Sequence, residues 1–108
     1  MVKKYKKKPI PIEALQWTGN NTEEVREFTG ESLSKNVDDY VDLIKLKFDM
    51  EKYQGISPDE MNEYFVIKTL EGNHLTAIGD YIIKGVRGEF YPCKEDIFLE
   101  TYDEVSGK

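Results

Sequence analysis

A cysteine, a histidine and paired carboxylates are the side chains of this sequence that could do chemistry. Cys93 is the one cysteine, and a thiol needs a base or a cation to become nucleophilic; neighbouring Lys94 supports this less than a histidine partner would. His74 is the one histidine, and no second histidine or cysteine stands at zinc-ligand spacing. Asp80 and Glu89 could form an acid–base pair, but among 21 acidic residues such pairs arise by chance. We therefore predict no catalytic residue, no metal and no cofactor.

Aromatic residues close to an arginine are the second feature of functional interest, because aromatic rings and arginine dominate interface energetics. Trp17, Tyr81 and Tyr91 supply the rings, and Arg87 and Glu89 lie close to the last two in sequence. Core packing is the first interpretation of such rings. If they lie exposed together beside Arg87, these five residues form the predicted binding surface.

Charge is distributed unevenly along the chain. The first eight residues contain five lysines and no acid, which leaves ten basic groups against 21 acidic ones, a formal charge of −11, for the rest. An acidic body repels phosphate backbones over about 8–10 Å at physiological salt. Contact with nucleic acid would therefore have to run through this basic arm, that is, through Lys3, Lys4, Lys6, Lys7 and Lys8.

The length of 108 residues fits one domain, which we place at residues 9–108 after the arm 1–8. Such a chain has room for one core, so we expect a ligand site that is shallow or shared between subunits of a homo-oligomer. A single cysteine allows no intrachain disulfide, and the sequence has no apolar run long enough to span a membrane. We expect a cytoplasmic protein.

Near the start of the chain, residues 10–17 are predicted to form an edge strand, because their prolines cannot donate to a central ladder. Asn21 followed three residues later by Glu24 has the spacing of a reciprocal helix cap. A helix of two turns should follow, and Gly30 is placed to end it.

The middle of the chain contains mixed signals. A helical turn is predicted over residues 36–41 and a strand over 42–48, where apolar residues alternate, before a loop that runs through Gly55. Ser57 and Pro58, followed by two acids, predict the start of another short helix.

From Tyr64 onward the chain is rich in strand-type residues. Strands are predicted over 64–70 and 75–78, with a turn at 71–73, and residues 81–92 should form a tight hairpin. A helical turn over 94–98 and a strand over 99–102 complete the prediction. These elements indicate an α+β fold: a small, strongly bent antiparallel sheet or an SH3-like barrel, with one or two short helices.

The stretch 79–102 begins with Gly-Asp-Tyr and contains Gly-Glu-Phe-Tyr-Pro-Cys. Together with residues 8–19 it resembles a family of small phage and prophage proteins with a Gly-Asp-Tyr or Gly-Asp-Trp signature. The resemblance covers about half of the chain. Ile78 stands where members often have proline, and residues 31–63 exceed the usual connection, so this segment is predicted to be an insertion. The resemblance implies a phage or prophage product in the bacterial cytoplasm and transfers no catalytic residue.

Three functional hypotheses follow. The first is a non-enzymatic accessory protein that binds a host or phage protein or a small ligand. The second is a nucleic-acid accessory factor that acts through its lysine arm. The third is an enzyme that uses Cys93 or a carboxylate pair.

Overall fold

The computed structural model describes residues 1–48 and 58–105. In chain order the described elements are β1 (Glu13–Gln16), α1 (Thr22–Thr29), a 3-10 turn (Gly30–Ser32), α2 (Val37–Lys47), α3 (Pro58–Met61), β2 (Tyr64–Thr69), β3 (Gly72–Ala77), β4 (Tyr81–Lys84), β5 (Phe90–Cys93) and α4 (Glu95–Thr101). All strand pairs are antiparallel. The predicted α+β class is confirmed.

β1, β4 and β5 form a three-stranded sheet with β4 in the middle. β1 is therefore an edge strand, as predicted from the prolines that flank it, although it is shorter than the predicted 10–17. Leu15 pairs with Ile82 and Gln16 with Tyr81. Because side chains alternate along a strand, Leu15 and Ile82 face the core while Gln16 and Tyr81 face the opposite side.

β2 and β3 form a separate hairpin in which Thr69 pairs with Gly72. The Thr69 hydroxyl donates to the Gly72 carbonyl oxygen over 2.7 Å and accepts from the Glu71 amide over 3.1 Å. Gly72 has a φ of +108°, a left-handed conformation that favours glycine. This closure is tighter than the predicted turn at 71–73, so β3 begins at Gly72 and not at Leu75.

A shared hydrophobic core joins the two sheets, and the described strands do not close into a barrel. Its buried members are Trp17, Val25, Leu33, Phe65, Ile67, Ile82 and Phe90. The rings of Trp17 and Phe65 meet edge to face with centroids 4.6 Å apart. Leu33 forms an isolated antiparallel bridge with Ile67, so the chain after α1 adds to the edge of β2.

α1 ends at Gly30 as predicted, with a φ of +54°. The predicted reciprocal cap between Asn21 and Glu24 is wrong. The Asn21 Oδ1 accepts from the Thr18 amide over 2.9 Å, and its Nδ2 donates to the Gln16 carbonyl oxygen over 2.8 Å. Asn21 thus joins the start of the helix to the end of β1 and leaves the helix amides without a side-chain cap.

α2 continues to Lys47, so the strand predicted over 42–48 is wrong, and the predicted helical turn is the first part of this helix. The Asn36 Oδ1 caps it by accepting from the Asp38 amide over 3.0 Å. Ile44 is fully buried, whereas Leu46 is 75% exposed. The alternating apolar residues therefore point to different sides of a helix instead of one face of a strand.

α3 begins at Pro58, in agreement with the proline and acid signal in the sequence. Ser57 and the predicted loop through Gly55 lie outside the described residues. Whether residues 31–63 are an insertion stays a prediction.

α4 extends to Thr101, so the strand predicted over 99–102 is wrong. The rings of Phe98 and Tyr102, the residue after the helix, have centroids 5.1 Å apart. Phe98 also stacks on Tyr81 with centroids 3.9 Å apart. Packing against the sheet therefore favours a helix where the local sequence also suits a strand.

Candidate binding groove

A groove of about 960 Å³ lies between α1, the 3-10 turn, the first turn of α2, α3 and the start of β2. Two buried apolar residues, Leu33 and Phe65, form part of its lining, and Met61 and Tyr64 belong to the side where α3 meets β2. An apolar lining with a few polar groups is typical of ligand sites.

Phe65 is held in place by Trp17. The Trp17 ring packs against Phe65, and its Nε1 donates to the Glu63 carbonyl oxygen over 3.0 Å. This bond ties the residue before β2 to the residue after β1. One side of the groove therefore depends on a contact between distant parts of the sequence.

Ser34 joins the first turn of α2 to β2. Its amide donates to the Val66 carbonyl oxygen over 2.8 Å, and its hydroxyl donates to Asp39 Oδ2 over 2.6 Å. The Tyr40 hydroxyl donates to the Ser34 carbonyl oxygen over 2.7 Å. Burial raises the pKa of Tyr40, and the positive charge of Arg26 acts in the opposite direction. The first turn of α2 is thereby bonded to the β2 side of the groove.

The charged residues among the described lining are Arg26, Lys35 and Glu31. Arg26 pairs with Glu23 at 3.7 Å, but both side chains are mostly exposed, and such pairs contribute little. Among the ion pairs of residues 1–48 and 58–105, none involves Lys35. The groove therefore presents two cations in a chain whose overall charge is −6.

Two further polar side chains, Thr22 and Asn62, also line the groove. Within the described parts of the chain, neither side chain has a hydrogen-bond partner. The hydroxyl and the amide can therefore bond a ligand. The Ser34 hydroxyl, by contrast, already donates to Asp39 and accepts from the Asn36 amide.

The binding surface predicted from the sequence lies elsewhere. Its five residues are all described, and none of them lines the groove. Trp17 is 1% exposed and belongs to the core. Its ring packs against Phe65, which lines the groove. Because the ring is buried, it is not part of an open surface.

Tyr81 and Tyr91 lie on one face of the three-stranded sheet, because Tyr91 pairs with Ile83, two residues after Tyr81. α4 covers this face: Phe98 stacks on Tyr81. Burial first, and then interaction with the Tyr102 hydroxyl, raises the pKa of Tyr91 to about 12. Both tyrosines are half-buried.

Arg87 and Glu89 belong to the loop between β4 and β5. Arg87 is exposed at its tip, and its amide donates to Glu89 Oε1 over 2.9 Å. The Gly85 amide donates to the Glu89 carbonyl oxygen over 2.7 Å. Glu89 therefore closes its own hairpin, and the predicted hairpin over 81–92 is confirmed.

Asp80 also acts in a turn. Its Oδ2 accepts from the Ala77 amide over 2.9 Å, and Oδ1 lies 3.6 Å from Lys94 Nζ. Gly79, with a φ of +101°, donates its amide to the Trp17 carbonyl oxygen over 2.6 Å. Gly79 and Asp80 thus form a turn that is also bonded to Trp17, the residue after β1.

The single cysteine and the single histidine of the sequence lie on different sheets. Cys93 ends β5, whereas His74 is exposed on β3. Burial raises the pKa of the Cys93 thiol, and the charges of Asp80 and Asp96 raise it further. This is opposite to the change that activates a nucleophilic cysteine. In the described residues no three His, Cys, Asp or Glu side chains are placed to hold a metal ion.

The basic arm has no helix or strand, and its lysines are exposed. Lys7 Nζ donates to the Tyr102 hydroxyl over 2.9 Å. Among the ion pairs of the described residues, none involves the other four lysines, Lys3, Lys4, Lys6 and Lys8.

Comparison of the chain with protein-family models, with curated proteins and with solved structures gave no match. None of the helices in the described part of the chain has the length and hydrophobicity that crossing a lipid bilayer requires.

The sequence did not indicate the groove. Arg26, Lys35 and Asn62 are common surface residue types with no motif around them, and two of these three lie in the predicted insertion. The one local signal was the helical turn predicted over residues 36–41, which contains the lining residues Val37 and Tyr40.

Proposed function

We propose that this chain is a non-enzymatic accessory protein of phage or prophage origin that works in the bacterial cytoplasm and binds a ligand in the groove. The observation that carries the proposal is a groove of about 960 Å³ that combines an apolar lining with the polar side chains of Thr22, Lys35 and Asn62. Within residues 1–48 and 58–105, none of these three side chains has a hydrogen bond or an ion pair. This volume lies at the upper end of the range that ligand sites occupy.

Resemblance to phage and prophage proteins supports the origin. The two resembling blocks lie at opposite ends of the sequence, yet they supply β1, β4, β5 and α4. They form one sheet with its covering helix, and all described lining residues of the groove except Gly19 lie on the segment between them. A shared scaffold that carries a separate binding site fits an accessory protein.

Protein purified from a bacterial host without refolding provides the first test. Mass spectrometry of the native protein, and of the small molecules released on heating, should detect a bound compound. Val37→Trp adds bulk at the rim of the groove and should reduce retention, whereas Leu46→Trp, on the same helix and 75% exposed, should not. Equal retention by both variants, or no retained compound in the native protein, counts against the groove as the binding site.

The second candidate is nucleic-acid binding through the arm. Four exposed lysines of the arm favour it, because they take part in none of the ion pairs of the described residues. Lys3→Gln combined with Lys4→Gln, Lys6→Gln and Lys8→Gln should abolish binding of a labelled oligonucleotide. Native binding should weaken steeply with salt, because each phosphate contact releases counterions. Binding that survives these four substitutions eliminates this candidate.

A further inference from the structure

We propose that the groove selects small organic anions: molecules with an aromatic or other apolar body and one carboxylate, sulfonate or phosphate group. This inference rests on the proposed binding function and adds the chemical class of the ligand. Arg26 and Lys35 in the lining are the residues that would recognise the charge.

The described lining of the groove contains more cations than anions, although the molecule as a whole is negative. The whole chain has a formal charge of −6, yet the described lining contains two cations and one carboxylate, Glu31. Local cations against low-dielectric walls concentrate anions even when the whole molecule is negative.

The two cations are free to bind. The contact of Arg26 with Glu23 is long, at 3.7 Å, and both side chains are more than half exposed, so an incoming anion competes for the guanidinium at little cost. Lys35 is exposed and takes part in none of the ion pairs of residues 1–48 and 58–105. Guanidinium groups bind carboxylates and phosphates through two parallel hydrogen bonds.

The lining also contains apolar and aromatic side chains. Leu33 and Phe65 are each 6% exposed, and the partly buried Tyr40 and Tyr64 belong to the same lining. Because the Tyr40 hydroxyl is bonded to the Ser34 carbonyl oxygen, the ring is what this residue offers to a ligand. Aromatic walls beside a cation fit an aromatic acid better than an inorganic anion.

Two probes with the same apolar body separate charge from hydrophobic binding. 8-Anilinonaphthalene-1-sulfonate carries a negative charge, and N-phenyl-1-naphthylamine is its neutral counterpart. Fluorescence titration and calorimetry should show the sulfonate binding one to one and more tightly than the neutral probe. Added salt should weaken binding of the sulfonate and leave binding of the neutral probe unchanged.

Matched variants assign the charge effect to the groove. Arg26→Gln and Lys35→Gln should each weaken sulfonate binding about tenfold, as expected for loss of a charged hydrogen-bond partner. Arg87→Gln and Lys68→Gln, which remove exposed cations outside the groove, should leave it unchanged. Glu31→Gln removes the carboxylate and should strengthen sulfonate binding a few fold.

The outcomes separate this inference from the proposed function. Equal binding of both probes, with no effect of Arg26→Gln or Lys35→Gln, overturns anion selection but leaves the groove as a binding site. Failure of both probes to bind counts against the groove itself. Displacement of the sulfonate by an acidic peptide, but not by 2-naphthoate, would assign the groove to a protein segment and overturn the small-molecule class.

Discussion

The indole Nε1 of Trp17 donates to the Glu63 carbonyl oxygen over 3.0 Å, which joins the end of β1 to the start of β2 across 46 positions of sequence. The ring of the same tryptophan packs on Phe65 and is 1% exposed. A single side chain thus links the three-stranded sheet to the hairpin that forms part of the groove.

Trp17→Phe should lower the free energy of unfolding by about 1–3 kcal/mol. The substitution keeps an aromatic ring but leaves the Glu63 carbonyl without its donor. Trp17→Ala, which also removes most of the buried ring, should cost about 3–5 kcal/mol. Urea denaturation followed by circular dichroism measures both values, and a Trp17→Phe protein as stable as the native one would show that the hydrogen bond contributes nothing.

The cap of α2 gives a second prediction. Asn36→Ala should lower the free energy of unfolding by about 1 kcal/mol, because the Asp38 amide loses its acceptor. Asn36→Asp should retain stability, since aspartate caps equally well. Asn20→Ala, at an exposed position before α1, is the control and should change stability by less than about 0.5 kcal/mol. Equal effects of Asn36→Ala and Asn20→Ala would argue against the cap.

Short-range signals explain what the sequence could predict. The end of α1 at Gly30 and the loop around Gly88 depend on left-handed glycines, with φ of +54° and +83°, which local turn chemistry identifies. The edge position of β1 follows from its flanking prolines in the same way.

Long-range packing decided the parts that the sequence did not predict. Ile44, Leu46 and Phe48 alternate like a strand, but only Ile44 is buried, against the β2–β3 side of the fold. The strand expected over 99–102 became helix because Phe98 stacks on Tyr81. The groove brings Arg26 and Lys35 together from separate elements, so no local pattern contains it.

The β4–β5 loop allows a test by paired substitutions. A Cβ at Gly85 would overlap the carboxylate of Glu89, which accepts from the Arg87 amide. Gly85→Ala should therefore displace that carboxylate and cost about 1 kcal/mol, the value of one hydrogen bond. Glu89→Ala should cost a similar amount.

The combination of Gly85→Ala and Glu89→Ala should cost no more than Glu89→Ala alone, because the overlap and the lost hydrogen bond are the same event. Chemical denaturation of the two single variants and the double variant completes the cycle. Costs that simply add would show that the carboxylate of Glu89 does not lie over Gly85.

Tyr91 makes the free energy of unfolding depend on pH in the alkaline range. Burial, followed by interaction with Tyr102, raises its pKa to about 12 from an ordinary value of 10.0. Between these values the unfolded chain releases a proton that folded Tyr91 retains, so the free energy of unfolding falls as pH rises from about 10 to about 12. Below pH 10 this contribution is fully present.

Tyr91→Phe should therefore lose less stability than the native protein between pH 10 and pH 12, as measured by urea denaturation at a series of pH values. The slopes are compared and not the absolute stabilities, because the substitution also removes the contact with Tyr102. Tyr5→Phe, in the arm and 89% exposed, should follow the native slope. Identical slopes for Tyr91→Phe and Tyr5→Phe would mean that Tyr91 ionises in the folded protein as readily as in the unfolded chain.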